Sequence, residues 1–155
     1  MSAAIPQLAF DLRIPTHRPL LPMKAAMVFL DRSEDDVLAL IEGRGLAFAW
    51  SIARPGRKRY VVVWRGSCLA YRYEDSGDQN LSLGEVVDLI LPKRTSLRAV
   101  EVKSIFSVNQ GHIANLIADG LLEVDRARPV KAGYAQSPWI TRPSCVRLLT
   151  ERRMT

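Results

Sequence analysis

Asn109, Gln110, Gly111 and His112, with Asn115 one helical turn further on, bring three carboxamides and an imidazole into one short stretch of this sequence. Carboxamides and an imidazole exchange hydrogen bonds with a partner, whereas catalysis needs clustered groups of matched acidity. Only His17, His112, Cys68 and Cys145 supply imidazoles and thiols, and the carboxylates are scattered over expected helix surfaces. No nucleophile, metal or phosphate-loop pattern stands out. Gly43-Arg44-Gly45 reads as a helix end, because a dinucleotide fingerprint needs a further glycine and a preceding strand. Trp50, Trp64 and Trp139 have rings able to stack on single-stranded bases, but each lies in strand-like text and is read as core. The expectation is a protein that is not an enzyme and uses no cofactor or metal.

The elements that must position the polar run lie between Leu97 and Leu122. Leu97, Val100, Ile105 and Phe106 recur at helical spacing; Ser107 and Val108 interrupt them; and Ile113, Leu116, Ile117, Leu121 and Leu122 begin a second series. Two short helices joined by a tight turn follow. Asn109 stands where the second helix needs an N-cap, and Asp119-Gly120 supplies its stop. This is the outline of a helix-turn-helix, its second helix being the one that reads.

At 155 residues and 48% hydrophobic content, one ordinary domain or two small ones can be built. The net charge of +6 and pI near 9.7 favour a polyanionic partner through counterion release. No apolar run reaches the roughly 20 residues of a membrane span, and the first residues lack the pattern of a secretory signal. A cytoplasmic, nucleoid-associated location with no membrane partner is expected. In a reducing compartment Cys68 and Cys145 should be buried thiols, not a disulfide.

Taken in order, residues 1–19 hold Pro6, Pro15 and Pro19 around a short apolar segment, Leu8 to Ile14, and read as an extended arm. The text from Leu20 to Leu46 then matches the text about 76 positions further on. Val37, Leu40 and Ile41 fall on Ile113, Leu116 and Ile117, and Ser33 falls on Asn109. Gly45-Leu46 falls on Gly120-Leu121 after a one-residue adjustment. Arg65-Gly66-Ser67-Cys68 answers Arg142-Pro143-Ser144-Cys145. Ordered matches at near-constant spacing imply a tandem duplication. Ala47 to Ala53 and Arg59 to Tyr71 read as a β-hairpin whose tip is Arg54-Pro55-Gly56-Arg57-Lys58. In the second copy Leu122 to Asp125 and Ser137 to Thr141 flank a longer connection carrying Arg126, Arg128, Lys131, Gly133 and Tyr134. Glu74 to Gln79 is a polar linker, Leu81 to Leu91 a helix, and Ser144 to Arg153 a closing helix.

These residues resemble the winged helix-turn-helix of phage excisionases and MerR-type regulators. Leu97, Glu101-Val102, Ile105-Phe106, Val108 and Leu116-Ile117-Ala118-Asp119-Gly120-Leu121 match its typical line, and Trp139-Ile140-Thr141-Arg142-Pro143 resembles the strand that closes its wing. The resemblance covers most of residues 97–152 and, more weakly, Leu20 to Tyr71. Lys103 departs from it, standing where a small buried residue is usual, and so does Arg98, where the helix usually starts with Ser or Thr. The implied fold is α+β: two tandem winged helix-turn-helix repeats, each a helix pair plus a β-hairpin wing. The implied divisions are an arm (1–19), a degenerate repeat (20–73), a linker with a short helix (74–92) and a DNA-reading repeat (93–155).

If the second copy binds double-stranded DNA as its look-alikes do, Asn109, Gln110, Gly111, His112 and Asn115 face the bases, since the amino end of the reading helix points into the groove. Asn and Gln suit adenine, His suits guanine or a phosphate, and Gly111 admits close backbone approach. Lys93, Arg94, Arg98, Arg126, Arg128 and Lys131 are the backbone or minor-groove candidates, joined by Arg54, Arg57, Lys58 and Arg59 on the first wing. The first copy instead opens its second helix with Ser33-Glu34-Asp35-Asp36, which sets carboxylates where phosphates would lie. That copy is expected to pack, self-associate into a homodimer, or bind a protein. The leading expectation is a sequence-specific DNA-binding protein, serving transcription regulation, recombination or plasmid maintenance. Its rival is a protein-interaction module with only nonspecific nucleic-acid contact.

Overall fold

The computed structural model describes residues 17–73, 81–128 and 138–154. Among them the chain is a mixed α+β structure of seven helices and two small antiparallel sheets. The expected apolar segment at Leu8 to Ile14, the linker at Glu74 to Gln79 and the loop with Lys131, Gly133 and Tyr134 lie outside the described residues.

The first half runs β1 (Leu20–Pro22), α1 (Met23–Leu30), α2 (Glu34–Glu42), β2 (Ala49–Ser51), β3 (Val61–Trp64), α3 (Arg65–Arg72). The second runs α4 (Leu83–Ile90), β4 (Ser96–Arg98), α5 (Ala99–Phe106), α6 (Gln110–Ala118), β5 (Trp139–Thr141), α7 (Arg142–Glu151). Local chemistry sets both helix pairs. Asp31 ends α1 at φ 54° and Ser107 ends α5 at φ 55°, each turning the chain through the left-handed region. The next helix is then capped by a side chain: Ser33 Oγ accepts from the Asp36 amide at 3.2 Å, and Asn109 Oδ1 from the His112 amide at 2.7 Å.

The same hydrogen bonds recur from one half to the other. The Arg32 amide donates to the Met27 carbonyl and the Val108 amide to that of Lys103; the Leu46 amide donates to Leu40 and the Leu122 amide to Leu116. Pairing of Leu20 with Trp64 and Leu21 with Val63 is matched by Ser96 with Thr141 and Leu97 with Ile140. This pattern corrects the expected alignment at the helix end. Arg44 (φ 63°) corresponds to Gly120 (φ 78°) and Leu46 to Leu122, not Leu121, with no gap. The irregularity falls just after, where Phe48 and Glu123 both donate their amide to a serine Oγ (Ser67 and Ser144).

Two further expectations are corrected. The strand expected over Arg59 to Tyr71 stops at Trp64, and Arg65–Arg72 is a helix. Small residues decide it, since Gly66, Ser67, Cys68 and Ala70 form the buried stripe of α3 and no β-branched side chain remains to favour extension. The closing helix begins at Arg142, two residues before Ser144, because Thr141 Oγ1 caps it and Pro143 fits its first turn.

Two apolar clusters hold the chain together. Leu21, Ala49, Val61 and Val63 on one face of the three-stranded sheet pack with α1, α2 and α3. Leu20, Trp50, Val62 and Trp64 on the other face join a larger cluster with Val102, Phe106, Val108, Leu148 and Leu149 of the second half. Side chains alternate across a strand, so the unbroken apolar text Val61–Trp64 is the mark of a sheet covered on both faces. The chain end returns to the first half as well: Ser51 donates to Arg152, and Met154 to Ala49, along the β2 edge. Cys68 and Cys145 are free and buried, and burial pushes both thiols up to about 12. No helix among the described residues is long and apolar enough to cross a membrane.

Candidate nucleic-acid interface

Helix α6 presents three environments around its circumference. Ile113 and Leu116 are buried in the shared cluster. Gln110, Gly111, Ala114 and Ala118 are exposed. His112, Asn115 and Asp119, spaced by one turn each, form a flank turned to the first half, with His112 and Asn115 half-buried.

That flank is built from cross-half hydrogen bonds. His112 Nε2 donates to the Ile52 carbonyl at 2.7 Å, and the imidazole lies 5.5 Å from the Tyr60 ring, centroid to centroid. Tyr60 Oη donates to the Ser107 carbonyl, and Ser107 Oγ to that of Leu20, both at 2.6 Å. Arg54 grips Asp119 with two bonds, Nε to Oδ2 at 2.8 Å and Nη2 to Oδ1 at 3.1 Å. The His112 and Arg54 side chains, expected to face a groove and a backbone, therefore each have a partner within the fold. Asn109 is exposed and spends its side-chain oxygen on the cap.

The remaining cationic candidates divide by their partners. Arg94 pairs with Glu101, whose carboxyl also accepts from the Arg98 amide and caps the start of α5. The Arg98 and Arg128 guanidinium carbons lie 5.2 and 4.4 Å from the centroid of the Trp139 ring. Trp139, expected in the core, is instead a half-exposed platform that holds two cations where β5 meets residues 123–125. Asp125 shapes that junction: it accepts from Ser96 Oγ and from the Ala127 amide, and the Arg128 amide closes a turn onto its carbonyl. Lys93, Arg126, Arg57, Lys58 and Arg59 are exposed, as is Lys103, while Lys131 lies outside the described residues. Glu34, Asp35 and Asp36 are exposed at the start of α2, at the places that Gln110, Gly111 and His112 take in α6. The Trp139 platform and the His112 flank escaped sequence reasoning, because each joins residues far apart in the chain; the one textual sign was the acidic Asp125, standing where the first half has Trp50.

The Arg54 pair has an electrostatic consequence. Its hydrogen bonds hold the Asp119 carboxyl below the usual carboxylate range, with the charges of Arg54 and Arg57 adding and partial desolvation opposing. A depressed carboxylate stabilises the fold above its unfolded pKa, near 4, and that contribution is lost as pH falls through the lower folded value. Arg54→Ala is accordingly expected to move the Asp119 titration upward, back toward 4, in a carboxylate-detected NMR titration. An unmoved titration would refute the pairing.

Among the described residues no group of three or more His, Cys, Asp and Glu is placed to hold a metal ion. An open cleft of about 1050 Å³ lies among α4, β5 and α7, but most of its charged rim is already paired, Arg142 with Asp88 and Arg147 with Glu123. Comparison with family models, with curated proteins and with solved structures finds no match to this chain.

Proposed function

We propose that the chain is a pair of tandem winged helix-turn-helix units that binds double-stranded DNA, with α6 of the second unit as the reading helix. The observation that carries this reading is the outward face of α6. Gln110, Gly111, Ala114 and Ala118 are exposed, whereas Ile113 and Leu116 of the same helix are buried in the shared cluster. Small side chains let a helix sit deep in a major groove, and Gln110 in the first turn suits the paired donor and acceptor of adenine. Gly111 fits the same use. Its backbone is not in the left-handed region, and a Cβ there would meet only Asn109 Oδ1, at 3.4 Å. The fold does not need a glycine at this position, whereas close approach to a ligand does. Arg98 and Arg128 on the Trp139 platform, with the exposed Arg126, supply phosphate contacts. Roles in transcription regulation, recombination or plasmid maintenance all follow from sequence-specific binding.

The test is selection of bound molecules from random-sequence duplexes at about 150 mM salt, read by gel shift. One enriched sequence is expected, with its preference relaxed at one position by Gln110→Ala. If nothing is enriched, the reading fails and a protein partner takes its place.

A further inference from the structure

We propose that the hairpin of the first unit is a second phosphate-binding arm for α6 of the second, its tip residues Arg57, Lys58 and Arg59 gripping the duplex backbone beside the groove that α6 enters. This rests on the DNA-binding reading above and adds a contact that the second unit cannot make alone.

The placement comes from three fastenings. Ile52 and Tyr60, on the two arms of the hairpin, hold His112 and Ser107 at the start of α6 and at the turn before it. Nearer the tip, Arg54 holds Asp119 at the far end of the helix with two hydrogen bonds. His112 and Asp119 are seven residues apart, about 10 Å along a helix axis. The hairpin thus runs the length of α6 and is tied at both ends, which fixes the height of its tip relative to the helix.

The charges suit a phosphodiester partner. Unpaired, Asp119 would add a carboxylate to the negative end of α6 and repel a phosphate there. Arg54 neutralises it with two hydrogen bonds and leaves the three remaining cations of the tip exposed. The tip itself is a turn closed by the Arg57 amide on the Arg54 carbonyl, with Gly56 at φ 74°. Pre-ordering of this kind lowers the entropy cost of bringing long cationic side chains to a partner. Although the acidic start of α2 keeps the first unit's own helix from a groove, its hairpin still serves the neighbouring helix.

The experiment measures the salt dependence of the observed affinity for a selected duplex. Arg57→Ala, Lys58→Ala and Arg59→Ala are made together, and a control triple (Lys24→Ala, Arg32→Ala and Arg44→Ala) removes the same charge from exposed positions on α1 and in the turns on either side of α2. Each phosphate contact contributes about 0.9 to the log–log slope, so the tip triple is expected to flatten it by about 2 to 3, with affinity at about 150 mM salt down more than tenfold and the preferred sequence unchanged. The control triple is expected to change the slope by less than about 1. Equal changes in the two variants, or an unchanged slope in the tip triple, overturn the second arm while leaving the reading helix standing. A wild-type chain that binds no duplex overturns both.

Discussion

Trp50→Ala is expected to cost about 3 to 5 kcal/mol, the range for truncating a large buried aromatic. Domains of this size are stable by about 5 to 15 kcal/mol, so the variant should lose a large part of its folded margin. Trp50 is fully buried on β2, and its ring faces the cluster shared by the two halves, stacked near Phe48 at 6.5 Å between centroids. Its indole Nε1 donates at 2.7 Å to the Leu149 carbonyl in α7. Alanine removes the apolar area and orphans that carbonyl at once. Trp50→Phe keeps most of the area and loses only the donor, for which about 1 to 3 kcal/mol is expected. Urea unfolding followed by far-ultraviolet circular dichroism should give one transition in the wild type and a midpoint order of wild type, then Trp50→Phe, then Trp50→Ala. Two separate wild-type transitions, or a loss below about 1 kcal/mol in Trp50→Ala, would mean that the shared cluster does not couple the halves.

Features that rest on a local rule were legible in the sequence. Ser33 and Asn109 announce their helices because a side-chain oxygen three residues before an unpaired amide is a local arrangement, and Gly120 ends α6 for an equally local reason. β1 and β4 leave no mark in the text because three residues are too few to display a period, so Leu97 reads as part of the helix that starts at Ala99. The text does hold a sign of α3, since Ser67-Cys68 matches Ser144-Cys145, where the closing helix is expected to start. Within the site, Gln110 and Gly111 were legible as the polar start of a helix. The fate of His112 was not, because its acceptor is the backbone carbonyl of Ile52, sixty residues upstream, and any residue type offers a carbonyl. Trp139 shows the same limit, since a ring in strand text reads as core until Arg98 and Arg128 are brought to it from other elements.

Writing the charges of α2 onto α6, with Gln110→Glu and Gly111→Asp, is expected to lower duplex affinity by about a hundredfold, roughly tenfold for each carboxylate turned toward phosphates. The two substitutions copy Glu34 and Asp35 onto the matching places of the second helix. Folding should not suffer. Both sites are exposed, acidic residues in a first turn favour the helix dipole by about 0.3 to 1 kcal/mol each, and replacing Gly111 removes a helix-weakening residue. Thermal unfolding should therefore be unchanged or shifted upward while binding collapses, a combination that general damage to the fold cannot produce. The loss should also shrink as salt is raised, because the repulsion is screened. In the reverse direction, Glu34→Gln, Asp35→Asn and Asp36→Asn should leave the sequence preference of the protein unaltered, since the proposed function gives α2 no base-reading role. Full affinity in the acidic α6 variant, or a changed preference in the neutralised α2 variant, would move the interface away from α6.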